Sequence, residues 1–167
     1  MSAAEALKAA RATGIRLGID GDALTLEAGT APPPTVLDLL ARHKVGILAL
    51  LHPANDGWSG EDWLAFFDAR SHRAAVHGLT GIDAEARAFA ACVVEWLNRN
   101  PARSPSGRCL GCGQAEHSHD PLLPFGTDQT GHAWLHSRCW PAWHAARKAD
   151  AIAALAAMGI DQPRTHR

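Results

Sequence analysis

The 167-residue sequence predicts an α+β protein made of a small αββαα module, a helical middle segment, and a C-terminal β-hairpin followed by a helix. Three observations lead to this prediction. Two short alternating stretches flank an Asp-Gly pair near the N-terminus, and apolar residues recur at helical spacing through the middle. Two close Cys and His pairs then bracket a region with a turn-rich centre that predicts a second hairpin. We place the boundaries at residues 1–53, 54–101 and 102–167.

The first module begins with a helix and a hairpin. Ser2–Glu5 has the capping-box pattern of a helix start, and Gly14 can end that helix. Residues 15–19 and 23–26 then alternate between apolar and other side chains. Asp20-Gly21 lies between them and favours a tight turn, because glycine readily adopts a positive φ.

Two further helices complete this module. Pro32–Pro34 breaks the chain after the hairpin, and Thr35 with Asp38 forms a second capping box. The apolar residues that follow have helical spacing, and the pattern stops near Pro53. The order of elements is therefore helix, hairpin, helix, helix.

Residues 1–52 resemble the TubC-type N-terminal docking domain of peptide and polyketide synthetases. The resemblance lies in Gly14–Leu17, in Asp20–Leu24, and in Leu39–Lys44 with Ile47-Leu48. It implies an αββαα fold that can dimerise, or that accepts a partner's short terminal peptide as an added strand along its hairpin. The rest of the sequence does not resemble the condensation or carrier domains that follow in that family.

By position, this resemblance implies that the receiving strand runs from Leu24 to Glu27. The residues assigned to peptide docking are Arg16, Leu24, Leu26 and Lys44, with the two basic side chains facing acidic groups of the peptide. The alternative is that the hairpin and helices form only a small core.

The middle segment predicts two helices. Ser59–Asp62 forms a third capping box, and we expect its helix to end where Ser71–Gly81 breaks the pattern. Asp83 is then expected to cap the second helix, which Asn98–Pro101 ends. Cys92 is expected to pack as a small apolar group rather than to react. The aromatic and aliphatic residues expected on the core faces of these helices are Trp63, Phe66, Phe67, Phe89, Val93, Trp96 and Leu97.

The C-terminal segment contains a CxxC…HxxC pattern formed by Cys109, Cys112, His136 and Cys139. Each pair places two soft donors within reach of one tetrahedral ion, and the pattern supplies four ligands. The sequence therefore predicts one structural Zn²⁺. A redox-active CxxC and a chance grouping of cysteines are the alternatives, although a redox motif needs no HxxC partner.

The spacing within this segment predicts a hairpin and a helix. Residues 122–126 and 132–136 predict its strands, with a turn near Asp128, and Ser137–Met158 predicts a helix stopped by Gly159. Pro141 fits only the first turn of that helix, so the last two ligands lie at its start. This arrangement is similar to the treble clef of zinc fingers. Residues 56–167 otherwise resemble short bacterial proteins without a known function.

Charge is unevenly distributed along the chain. The net charge is −1, but residues 56–98 carry three basic and seven acidic side chains, whereas residues 99–167 carry eight basic and five acidic ones. A mildly basic zinc module permits contact with nucleic acid without requiring it. The residues assigned to that contact are Arg103, Arg108, Arg138, Arg147 and Lys148.

Catalytic signatures are sparse. The sequence has no Gly-rich phosphate loop, nucleophile elbow or paired carboxylates. The segment Glu116–Asp120, which contains His117 and His119, could form a second metal or acid/base site. His132 could serve as the histidine of an HNH-type nuclease, but the asparagine that such a motif needs is not evident. Solvated loop histidines are the alternative.

The absence of an 18-residue apolar run and of a signal-peptide pattern predicts no membrane association, and the cysteine usage predicts a reducing cytoplasm. The function that these observations predict is a non-enzymatic zinc-binding adaptor, whose N-terminal module docks a protein partner or a second copy of itself. A nucleic-acid-binding accessory protein is the alternative, and a metal-dependent hydrolase or nuclease is a third hypothesis.

Overall fold

The computed structural model describes residues 2–54, 56–126 and 132–163. It confirms the α+β class, because the described residues form six α-helices and two small antiparallel sheets. The chain divides into two compact units, Met1–Cys92 with Leu155–Arg167, and Val93–Ala154. The three predicted segments, residues 1–53, 54–101 and 102–167, are a prediction about which parts fold on their own. That prediction is not tested by this division and stays a prediction.

The elements follow the predicted order. In the first unit they are α1 (Ala3–Ala12), β1 (Arg16–Asp20), β2 (Ala23–Glu27), α2 (Pro34–Arg42), α3 (Lys44–Leu51) and α4 (Gly60–Val76). Helix α5 (Gly81–Arg99) crosses the boundary between the units in sequence, and it is followed by β3 (Leu122–Phe125) and β4 (Ala133–His136). A single 3₁₀ turn, Ser137–Cys139, leads into α6 (Trp140–Ala157).

The N-terminal hairpin closes one residue later than expected. Strands β1 and β2 pair from Arg16 opposite Glu27 to Asp20 opposite Ala23, so the loop is Gly21-Asp22 rather than Asp20-Gly21. Gly21 has a φ of 58°. A positive φ at the first loop residue alone is typical of a type II′ turn, which matches the twist of a hairpin.

Capping explains where the helices begin. Both reciprocal hydrogen bonds of the predicted capping boxes form at Ser2 and at Ser59. The second predicted box is wrong: α2 begins at Pro34, and no side-chain hydrogen bond caps it. Proline at the first helical position supplies a suitable φ and lacks an N–H that would need a partner, so Thr35 is already inside the helix.

Two boundaries in the middle segment also differ from the prediction. Helix α4 continues through Ser71 to Val76, because one serine and one histidine in its last turns do not outweigh the buried apolar face. Helix α5 begins at Gly81, and the Thr80 hydroxyl donates to the Asp83 carboxylate at 2.6 Å. Asp83 therefore lies in the first turn, and Thr80 precedes the helix.

The core of the first unit includes residues from both ends of the chain. Helix α1 buries Ala4 and Leu7 and packs on α2 and α3. Lys8 Nζ donates to the Gly159 carbonyl at 2.8 Å, and a Cβ on Gly159 would lie 2.5 Å from Ala4 Cβ. Gly159, with a φ of 80°, therefore ends α6 and allows the chain to approach α1 closely.

The second unit has its own apolar cluster. Strands β3 and β4 pair in antiparallel register from Leu122 opposite His136 to Phe125 opposite Ala133, as the hairpin prediction requires. The turn expected near Asp128 lies outside the described residues. The buried side chains of this cluster are Cys109, Ala133 and Leu135, and those packed against them are Leu110, Leu122, Phe125, Cys139, Trp140 and Trp143.

Within the described ranges, no helix has both the length and the apolar character that crossing a membrane requires.

Candidate metal centre

Four side chains from two separate parts of the second unit come together. One ligand atom from each of Cys109, Cys112, His136 and Cys139 lies within 4.8 Å of the others. Cys109 and His136 are buried, whereas Cys112 is exposed and Cys139 is half-buried. These are the four residues that the sequence pattern indicated, and their donor atoms are close enough to surround one ion.

The first pair lies on a tight loop that two glycines make possible. The Gly113 amide donates to the Cys109 carbonyl at 2.8 Å, and Gly113 has a φ of 74°, which a side chain would oppose. A Cβ on Gly111 would lie 2.9 Å from Cys139 Cβ. The loop therefore needs Gly113 for its backbone conformation and Gly111 for space beside the fourth donor.

The second pair lies at the junction between a strand and a helix. His136 is the last residue of β4, and Cys139 closes the 3₁₀ turn before α6. The Leu110 amide donates to the Trp134 carbonyl at 2.9 Å, which fixes the first loop to β4. This order of loop, hairpin and helix is the one that the sequence predicted.

The thiol groups influence one another's ionisation. Burial raises the pKa of Cys109, but amide donors from His136, Cys112 and Gly111 outweigh it and lower the pKa to about 6. Burial and the neighbouring thiols raise the pKa of Cys139 to about 11. The protein backbone thus favours the thiolate of Cys109, whereas Cys139 favours the thiol form unless a cation lies beside it.

The orientation of His136 also fits a bound metal. Its Nδ1 lies 3.4 Å from Cys112 Sγ, so this nitrogen faces the thiols. Its Nε2 is buried, has no hydrogen-bond partner among the described residues, and lies 4.0 Å from Asp120 Oδ2. The same carboxylate oxygen forms an ion pair with Arg138 Nη2 at 3.0 Å.

A carboxylate behind the second nitrogen of a histidine is the arrangement that holds metal-binding imidazoles in one tautomer. Asp120 is therefore placed for this role, although at 4.0 Å its carboxylate is beyond hydrogen-bond distance of Nε2. Reasoning from the sequence missed this role, because Asp120 lies 16 residues from His136 and only the hairpin brings them together.

The other predicted histidines do not join a second cluster. His117 and Asp120 exchange backbone hydrogen bonds in a tight turn, and the side chains of His117 and His119 are exposed. His132 packs its ring edge-on against Trp134. Within the described part of the chain, the four-residue set is the one grouping of at least three Cys, His or acidic donors.

The basic residues assigned to nucleic acid differ in whether they contact other groups of the protein. Arg138 pairs with Asp120, and Arg108 donates to the Gly113 carbonyl at 3.0 Å. Arg147 donates to the Asn100 carbonyl, pairs with Asp150 and lies over the Trp96 ring at 5.0 Å. Arg103 and Lys148 are exposed. Three of the five side chains therefore have partners within the protein.

The residues assigned to peptide docking lie on the surface of the first unit. Arg16 and Lys44 are exposed, Leu26 is 43% exposed, and Leu24 is half-buried. Arg16 lies opposite Glu27 across the hairpin. Strand β2 pairs only with β1 among the described strands, so its other edge is open.

In comparisons with known proteins, no protein-family model, no curated protein and no solved structure matches this chain.

Proposed function

We propose that the four-residue cluster holds one structural Zn²⁺ and that the protein is a non-enzymatic adaptor organised by this ion. The observation that carries the proposal is the convergence of three sulfur donors and one nitrogen donor within 4.8 Å. Among biological cations, zinc suits a tetrahedral set of thiolates and imidazole best. Four protein ligands leave no open coordination position, which favours a structural role over catalysis.

Bound zinc would also change the ionisation of the site. It would balance the three thiolates and draw on Nδ1 of His136, while Nε2–H points toward Asp120. The fold beneath the site is small, so metal binding would contribute directly to its folding free energy.

Metal analysis tests the zinc assignment. We expect the purified protein to contain about one zinc per chain. Cys112→Ser should lower the zinc content and the melting temperature, because the oxygen replaces one of four thiolate donors. The matched control is Cys92→Ala, which removes the cysteine outside the cluster and should leave the zinc content unchanged. Full zinc content in Cys112→Ser, or a metal-free wild-type protein of unchanged stability, contradicts the assignment.

For the first unit, we propose that β2 receives a strand from a second copy of the chain. Its open edge, its exposed Leu26 and the sequence resemblance of residues 1–52 support this mode of docking. In a hairpin with a two-residue loop, the residue pair beside the turn is hydrogen-bonded. Non-hydrogen-bonded and hydrogen-bonded pairs then alternate along the two strands. The amides of Leu24 and Leu26 therefore point away from β1 and can pair with an added strand.

The oligomeric state tests this docking proposal. We expect sedimentation equilibrium of the full chain to show a reversible dimer, and Leu26→Pro to weaken it at least tenfold, because proline removes one outward amide and an exposed apolar side chain. Thr25→Val on the same strand keeps every backbone donor and should dimerise normally. A monomer at all concentrations excludes the second copy, and binding of an acidic peptide that depends on Arg16 and Lys44 would then assign the edge to another partner.

The adaptor ranks above the nucleic-acid alternative for one reason. Arg108, Arg138 and Arg147 already make contacts within the protein, so phosphate groups would have to compete with them.

A further inference from the structure

Three arginines and a histidine line a cleft in the first unit, far in sequence from the metal ligands. Arg70 and Arg73 project from α4, His77 follows the end of that helix, and Arg87 projects from α5. Ala74 and Leu79 contribute apolar surface to the same cleft, whose volume is about 370 Å³. We call this feature the arginine cleft.

The charge of the arginine cleft is opposite to that of its surroundings in sequence. Residues 56–98 carry seven acidic and three basic side chains, and all three basic ones line the cleft. None of the lining residues is an Asp or a Glu. The fold therefore gathers the basic groups of an acidic segment in one place, where their fields add.

These arginines also differ from Arg11 and Arg99 in their contacts. Arg11 pairs with Glu61 at 2.9 Å, and Arg99 pairs with Glu95 at 2.8 Å. In contrast, Arg70, Arg73 and Arg87 form no ion pair with any described residue. Arg70 has a ring contact only, with its guanidinium 4.8 Å from the centre of Phe66.

The free carbonyl groups at the end of α4 account for the position of Arg73 only. Arg73 lies in the last turn of α4, where a cation interacts favourably with the free carbonyl groups. That argument does not extend to Arg70, one turn earlier, or to Arg87 on another helix. Arg70 and Arg73 are three residues apart on one helix and repel each other. A bound anion would remove this repulsion.

We propose that the arginine cleft binds a small phosphorylated molecule. The planar guanidinium group matches two phosphate oxygens at once, and three such groups can surround one phosphate. The organic part of the ligand would lie against Ala74 and Leu79. The cleft volume is at the lower end of the range of about 300–1,000 Å³ typical of small-molecule sites, so the ligand is a compact one.

Calorimetric titration of the full-length protein with phenyl phosphate and with inorganic phosphate, at constant ionic strength, tests this proposal. Phenyl phosphate is the main probe because it joins a phosphate to an apolar ring. We expect saturable binding of both, with phenyl phosphate the tighter. Arg73→Gln combined with Arg87→Gln should weaken both at least tenfold. Leu79→Ser should weaken phenyl phosphate alone.

Two further variants test whether the geometry of the arginines matters and whether the loss of any arginine weakens binding. Arg87→Lys keeps the charge but loses the two-pronged geometry, so we expect at least threefold weaker binding even if the double variant folds poorly. Arg42→Gln removes an exposed arginine of α2, outside the cleft, and should bind both probes normally.

Three results overturn the proposal. The first is no saturable binding of either probe at millimolar concentration, and the second is binding that the arginine variants retain. The third is arginine-dependent binding of a random single-stranded oligonucleotide without binding of phenyl phosphate, which would assign the arginines to nucleic acid instead.

Discussion

At the scale of single residues, His136 of the candidate metal site lies between the thiols and a carboxylate outside the donor set. Its Nδ1 faces the thiols, and Asp120 lies behind Nε2 while also pairing with Arg138. The carboxylate can hold the ring in the orientation that presents Nδ1. It thereby limits the loss of side-chain freedom that metal binding would otherwise require.

This arrangement predicts that Asp120→Asn weakens zinc binding about 10- to 100-fold while the four donors remain. Competition with a chromogenic chelator measures the affinity. Glu116→Gln, an acidic residue of the same loop that is exposed, serves as the control and should change the affinity little. Equal affinities for Asp120→Asn and the wild type would show that the carboxylate does not orient His136.

The four donors could be predicted from the sequence, whereas Asp120 could not. Cysteine and histidine at CxxC and HxxC spacing are rare unless they share an ion, so the pattern alone identifies them. Asp120 belongs to a polar loop with two histidines, and nothing local distinguishes it. The arginine cleft was missed because the net negative charge of residues 56–98 conceals where the three arginines lie.

At the scale of secondary structure, the helix starts show when a capping pattern is realised. At Ser59 the amide donates to the Asp62 carboxylate at 2.8 Å, and the Asp62 amide donates back to the Ser59 hydroxyl at 3.2 Å. At Thr35 the same pattern is present, but the preceding prolines start α2 earlier. Pattern matching alone could not separate the two, because it ignores the backbone preference of Pro33 and Pro34.

The comparison of these two helix starts predicts that two similar substitutions lower the free energy of unfolding by different amounts. Ser59→Ala should lower the free energy of unfolding by about 1 kcal/mol, because it leaves an amide at the start of α4 without its acceptor. Thr35→Ala should change it by less than about 0.5 kcal/mol, since that side chain is exposed and caps nothing. Urea denaturation of both variants checks the difference, and equal losses would contradict the assigned helix starts.

At the scale of the whole molecule, the first unit is discontinuous in sequence. Residues 155–163 return to it after the second unit, and Leu155 and Ile160 are fully or almost fully buried. The sequence predicted that Gly159 ends the last helix, but the return of the chain to α1 could not be predicted. That contact depends on a glycine fitting against Ala4, which no local pattern reveals.

The returning segment predicts that a C-terminal substitution destabilises the N-terminal helix. Ile160→Ala should lower the free energy of unfolding by about 2–5 kcal/mol, because Ile160 is 1% exposed and the shorter side chain leaves a cavity. Hydrogen exchange of the α1 amides measures the effect in the element concerned. Gln162→Ala changes an exposed side chain two residues away and should leave that exchange unchanged. Normal protection of α1 in Ile160→Ala would refute the contact.

The bond from Lys8 to Gly159 spans 151 residues, and this separation has a consequence for synthesis on the ribosome. Helix α1 leaves the ribosome early, but the residues that cover it emerge only after Val93–Ala154 has been translated. At about 5–20 residues per second this interval lasts roughly 3–12 s. During it the apolar face of α1 lacks part of its cover, and Cys109, Cys112, His136 and Cys139 are translated. All four candidate metal ligands are therefore translated before the segment that completes the N-terminal unit.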